Sequence, residues 1–151
     1  MDKKGHRKNV SVIPDLVLPI LFNDSDYGVF FVEMDRSTMR GKMWDEKVSI
    51  YRAAIKAGLL KSRYKTHWGI VLTVTTGERR LKTLLEKTAA VGGRRGFWFT
   101  TMDELKTQGV FGKIWQRSNE VVKSRAEERP PGMAPIKWSI LDSIGDRRGD
   151  E

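Results

Sequence analysis

The chain has 151 residues, 39% of them hydrophobic and five of them Trp, which suits one domain with a real core. A formal net charge of +9 points to a polyanionic partner, and the lack of Cys with only two His excludes disulfides and thiolate sites and argues against a His-rich metal site. No apolar run nears the roughly 18 residues of a membrane span, so no membrane contact and a cytoplasmic location are expected.

In chain order, residues 1–11 read as a basic, flexible lead-in. The run 10–21 reads as a strand, with Pro14 and Pro19 confining it to an edge. The cluster Asn23-Asp24-Ser25-Asp26 reads as a turn, and 27–34 as a strongly β-prone partner strand. The two-residue period puts Val29, Phe31, Glu33 and Asp35 on one face and Phe30, Val32 and Met34 on the other, as in a sheet covered on both sides.

Ser37-Thr38 reads as a helix cap, and 42–57 as a helix with an apolar stripe of Trp44, Val48, Tyr51 and Ile55, stopped by Gly58. A basic connection, 61–67, leads to the central strand 68–75 (WGIVLTVT). Gly77-Glu78 opens a second helix, with Leu81, Leu84 and Leu85 inward and Arg79, Arg80, Lys82 and Lys87 outward. Gly92-Gly93 ends it. A strand at 96–101 (GFWFTT) precedes a short helix at 102–107, capped by Thr100 or Thr101, and 110–115 closes the compact part. Phe97, Trp98 and Phe99 read as core rather than as a base-stacking platform. Residues 116–135 are charged and then Pro-rich and read as a linker or exposed loop. A late strand or docking segment at 136–141 is followed by a disordered tail. The expected fold is α/β, with a mixed central sheet flanked by helices and an antiparallel opening hairpin.

Three carboxylates sit among apolar β residues. Glu33 and Asp35 share a strand face, and the hairpin brings Asp15 alongside. Unpaired buried carboxylates are costly, so these acids need partners. One solution is a shared divalent ion: oxygen-only sites suit Mg2+ or Mn2+, which could clamp a phosphate and activate a water. The other is ion pairing with Arg36, Arg40 or another base. Lys47 lies at the edge of the first helix's stripe, where it either crosses toward the acids or lays its stem on apolar surface with the ammonium in water. Arg40, Lys42, Arg52, Lys56, Lys61, Arg63 and Lys65 surround this helix and its exit, and Arg79, Arg80, Arg94 and Arg95 sit at later turns. Together with Arg36 they form either a track for a DNA backbone or solvated helix faces. Gly92-Gly93-Arg94-Arg95 lacks the phosphate-loop arrangement and reads as a turn. His67 reads as a structural residue at a strand entrance.

Pro14-Asp15, the segment FFVEMDRSTM at 30–39, and Lys47 with Tyr51 resemble the replication-relaxation family of plasmid and mobile-element proteins. That family shows a P-D segment, an E-x-D-R-G-T-like segment and a K-x-x-x-Y helix. WGIVLTVTTGERR and GFWFTT look like its following strands and turns, so the likeness runs over residues 12–115. The family resembles the PD-(D/E)xK, restriction-endonuclease-like fold. The resemblance implies a DNA-binding or DNA-processing protein of plasmid replication or mobilisation, with Asp15 and Glu33 as metal-binding positions. Asp35 stands where a nuclease would have Lys, and Lys47 on the next helix is positioned to supply it. The catalytic set expected is therefore Asp15, Glu33, Asp35 and Lys47, with Asp15, Glu33 and Asp35 as metal ligands. Ser37 stands where the family often has Gly. Such proteins commonly carry a winged-helix domain before this one, so a longer protein or a partner (a replication or mobilisation protein) is expected to read the DNA. The alternative is a non-catalytic, nuclease-like module that binds DNA or a replication protein.

Overall fold

Two apolar runs joined across a polar turn form an antiparallel hairpin, β1 (Leu16–Asn23) and β2 (Asp26–Met34), with Leu16 opposite Val32 and Leu21 opposite Tyr27. The computed structural model describes residues 12–23, 26–66, 68–118 and 136–142. The chain continues through α1 (Gly41–Lys56), α2 (Leu59–Tyr64), β3 (Gly69–Thr75), α3 (Glu78–Ala90), β4 (Phe97–Thr101), α4 (Met102–Gln108) and β5 (Gln116–Arg117). The sheet order is β1-β2-β3-β4-β5. β2, β3 and β4 are mutually parallel, and β1 and β5 run antiparallel at the two edges. The fold is thus α/β with a mixed five-stranded sheet flanked by helices.

The strand period sorts the core as expected. Val29 and Phe31 pack with Val71, Phe97 and Phe99 beneath Trp44, Val48 and Tyr51 of α1 and Leu81, Leu84 and Leu85 of α3. Phe30, Ile70, Leu72, Val74 and Trp98 form the second face, under Ile114, Trp115 and Ile140. Phe30 and Phe99 are wholly buried, each stabilising the fold by about 1.5–3 kcal/mol. Trp44 Nε1 donates to Thr88 Oγ1 at 2.9 Å and ties α1 to α3.

Several local expectations change. β1 begins at Leu16, so the described residues 12–15 of the expected strand lie before it, where Pro14 has removed a backbone donor. Ser37-Thr38 does not cap α1: the N-cap is Arg40, with no side-chain hydrogen bond. The basic connection after Gly58 contains a helical turn and a half, α2, whose Leu60 is buried. Gly58 stops α1 as expected, at φ 83°. Thr101, not Thr100, caps α4 by accepting from the Glu104 N–H at 3.3 Å. β5 begins at the first residue of the stretch read as linker or loop, and the rest of that stretch from 119 to 135 lies outside the described residues. Segment 136–142 packs back through a Trp115–Trp138 bridge, and the Arg117 guanidinium lies 4.5 Å from the Trp98 ring centroid and 3.9 Å from that of Trp138. The lead-in, the turn residues 24 and 25, His67 and the tail from 143 lie outside the described residues.

Candidate active site

Because β1 runs antiparallel to β2, its start lies beside the carboxyl end of β2. Asp15 donates its N–H to Val32 O at 3.0 Å, and its Oδ2 accepts the Met34 N–H at 2.7 Å. Glu33 points to the α1 side and is only 2% exposed. Its two oxygens meet two side chains one turn apart on α1: Lys47 Nζ at 2.5 Å from Oε2, and the Tyr51 hydroxyl at 2.5 Å from Oε1. Lys47 therefore crosses toward the acids instead of projecting into water. Burial pushes the Tyr51 phenol well above its ordinary range, helped by the hydrogen bond to Glu33 and by the charges of Glu33 and Asp15. Tyr51 stays protonated and acts as a fixed donor.

Asp15, Met34, Asp35, Arg36, Thr38, Met39 and Lys47 line a pocket of about 390 Å³ at this end of the sheet. Asp35 also belongs to its wall, but its carboxylate is engaged elsewhere. Arg80 Nε donates to Asp35 Oδ2 at 2.7 Å and Nη2 to Oδ1 at 3.1 Å, a two-pronged pair. Nη2 also donates to Met39 O at 2.8 Å, pinning the loop that leads into α1. The hydrogen bond to Asp35 raises the Arg80 guanidinium further, against the opposing effect of burial. Arg80 was expected to face outward; the charge of Asp35 draws it in. The bases that engage the acids are thus Lys47 and Arg80 in place of Arg36 and Arg40, which are exposed.

The expected cluster of Asp15, Glu33 and Asp35 does not close into a three-ligand group: among the described residues no three His, Cys, Asp or Glu side chains are grouped to hold a metal ion. Asp35 is turned onto Arg80. Asp15 and Glu33 remain as oxygen donors, and Mg2+ commonly takes one or two carboxylates with waters and phosphate completing its shell. An ion between them needs Lys47 to leave Glu33 Oε2.

The loop before α1 is held in an unusual backbone conformation. Ser37 has φ 62°, the left-handed region that favours Gly. Its hydroxyl lies 2.6 Å from Thr76 Oγ1, a bond that Gly would lack.

The basic residues fall into two groups. Arg36, Arg40, Lys42, Arg79 and Arg80 lie at the carboxyl end of the parallel strands, around the starts of α1 and α3. Arg52, Lys56, Arg94 and Arg95 lie toward the amino end, with Lys61, Arg63 and Lys65 of α2 and its exit. The 16-residue α1 separates the two groups by about 20 Å. Phe97, Trp98 and Phe99 are all buried, and Gly92 turns the chain at φ 87°.

Two residues hold the acids in a way the sequence reading did not assign to them. Tyr51 had a signal, since it stands four residues after Lys47 on one helix face. Arg80 had none, because its partner is 45 residues away. Comparison with protein-family models, with curated proteins and with solved structures yields no match to this chain.

Proposed function

We propose that this chain is a cytoplasmic DNA-binding and DNA-processing domain of plasmid replication or mobilisation, with a Mg2+- or Mn2+-dependent phosphodiesterase site of the PD-(D/E)xK type. The observation that carries the reading is the meeting of Glu33 from β2 with Lys47 from the next helix, which lines one pocket with Asp15, the residue before β1. Two carboxylates and one ammonium leave a formal charge of −1, suited to a divalent ion facing a phosphate. Asp35 is neutralised by Arg80 and is left with a positioning role. The order of the hairpin, then helix and parallel strand twice over, agrees with a restriction-endonuclease-like core.

Asp15 and Glu33 would hold the ion, which would polarise the phosphate and lower the pKa of an attacking water. Tyr51 keeps Glu33 Oε1 in place. Lys47, released from Oε2, neutralises the charge that grows on the phosphate. Arg80 fixes the 35–39 loop through Asp35 and Met39 O. The test is cleavage of supercoiled and linear DNA with Mg2+ or Mn2+. Wild type is expected to nick and Glu33→Gln to lose activity by at least about a hundredfold. No nicking by wild type, or equal nicking by both, removes the enzymatic reading.

A second reading, a non-catalytic module that binds DNA or a replication protein, is favoured by one observation: both Glu33 oxygens are satisfied by Lys47 and Tyr51 without an ion. Calorimetric titration separates the two. The module takes up no Mg2+ or Mn2+, whereas the enzyme takes up an ion that Glu33→Gln no longer holds. In either reading, choice of DNA sequence falls to a winged-helix domain or a partner.

A further inference from the structure

We infer that the amino end of the parallel strands, built from the end of α1, α2 and the turn before β4, is the surface that docks on the DNA phosphate backbone, apart from the acidic pocket. The inference rests on the DNA reading above and adds where the duplex is held. Residues 49–66 and 91–96 contain seven Lys or Arg and no Asp or Glu. Lys56, Lys61, Arg63, Lys65, Arg94 and Arg95 are all exposed.

The fold gathers these two segments. Arg52 Nη1 on α1 donates to Val91 O at 3.1 Å, joining the helix to the turn. Leu60 of α2 sits against Gly69 at the start of β3, where even a Cβ would come within 3.0 Å of it. Val71 of β3 in turn donates its N–H to Gly96 O at 2.8 Å. Lys61, Ser62 and Lys65 border a surface depression of about 490 Å³ with Gly58. Lys65, the C-cap of α2 at φ 58°, donates from Nζ to Ser62 O at 3.1 Å, which holds its ammonium at the rim of this depression.

The pocket end is different in kind. There Lys47 and Arg80 are committed to Glu33 and Asp35, and acidic Asp45, Glu46 and Glu78 are interspersed among the bases. A membrane surface is disfavoured as the occupant, because binding there needs apolar side chains to insert beside the bases. Leu59, at 36% exposure, is the large apolar side chain that α2 presents.

The test is fluorescence anisotropy of the full chain on a labelled duplex across a salt series. One variant carries Lys61→Gln, Arg63→Gln and Lys65→Gln. A second carries Lys82→Gln, Lys106→Gln and Lys113→Gln, which are exposed on other parts of the surface and remove the same charge. The first variant is expected to lose at least about tenfold in affinity, and its slope of log K on log salt to shrink by roughly 2–3, near 0.9 for each lost phosphate contact. The second is expected to stay within about threefold of wild type, since long-range charge alone is screened beyond about a Debye length. Matching thermal melts show that both variants are folded. Equal losses in the two variants, or an unchanged first variant, overturn the inference while leaving DNA binding intact. Wild type that binds no DNA overturns the DNA reading together with it, and wild type that instead binds phosphatidylserine vesicles through the same three residues assigns the surface to a membrane.

Discussion

The two ends of the parallel strands share one sheet and the same flanking helices, yet treat charge in opposite ways. At the carboxyl end Asp15, Glu33 and Asp35 are each held by named donors: Met34 N–H on Asp15, Lys47 and Tyr51 on Glu33, Arg80 on Asp35. At the amino end the cations stand together without an acid in the segments that carry them. Part of this polarity follows from chain direction. Each βα step puts a helix N-terminus at the carboxyl end and a helix C-terminus at the amino end, so the helix dipoles favour acids at the first and bases at the second, by about 0.3–1 kcal/mol per charge. Lys56, Lys61 and Arg63 occupy last turns of α1 and α2 accordingly. On the proposed reading the difference separates two jobs: a pocket with fixed, nearly balanced charges suits local chemistry, and a surface built from segments rich in Lys and Arg suits holding a long polyanion.

Substitutions at Asp35, Glu33, Tyr51 and Ser37 probe the paired end, and each should leave the basic end's salt dependence intact. The largest effect is expected from Asp35→Ala. It leaves the Arg80 guanidinium partly buried without its carboxylate and should cost about 3 kcal/mol, read as a fall of roughly 6–12 °C in the thermal midpoint. Adding Arg80→Met should recover part of the loss. A cost below about 1 kcal/mol would mean that the pair is no more than a surface salt bridge. Next comes Glu33→Gln, which keeps the shape but turns an amide donor toward Lys47 or Tyr51. We expect a loss of about 2 kcal/mol in chemical denaturation.

Tyr51→Phe should cost about 1.5 kcal/mol, since the hydroxyl donates to a buried carboxylate. It also carries a pH signature. The folded-state pKa of Tyr51 is raised by burial first and by Glu33 second, so its contribution is fully present below the unfolded value near 10 and is lost as pH rises above it. Stability measured above pH about 10 should therefore fall more steeply in wild type than in Tyr51→Phe; parallel curves would place the phenol outside this network. The smallest effect concerns the loop. Ser37→Gly and Ser37→Ala both lose the bond to Thr76, but only Ala keeps the cost of a positive φ, so the Gly variant should be the more stable by about 1 kcal/mol. Equal stabilities would show that the loop relaxes out of the left-handed region.

The hairpin, the two core faces and the helices α1 and α3 were legible in the sequence because each repeats a period over eight residues or more. The pairing of Asp15 with the end of β2 followed from the antiparallel turn. Lys47 was legible as a position but not as a direction: spacing alone put it at the edge of the stripe, and the charge of Glu33 decides which way it turns. α2 was not legible, since six residues offer no period and its turn is held by Leu60 packing over Gly69. The Asp35–Arg80 pair and the Trp115–Trp138 bridge join residues far apart in the chain, and no local pattern announces either. The division of the basic residues between two ends became visible only once the strands were known to be parallel.

The central claim is that the carboxyl-end pocket does chemistry on a DNA held elsewhere. Its most direct test is Mg2+-dependent nicking of supercoiled DNA by wild type and Glu33→Gln at concentrations where both are bound. The expected result is nicking by wild type and loss of at least about a hundredfold in the variant, with DNA affinity unchanged within about threefold. Nicking that is absent from wild type, or that survives in Glu33→Gln, would contradict it.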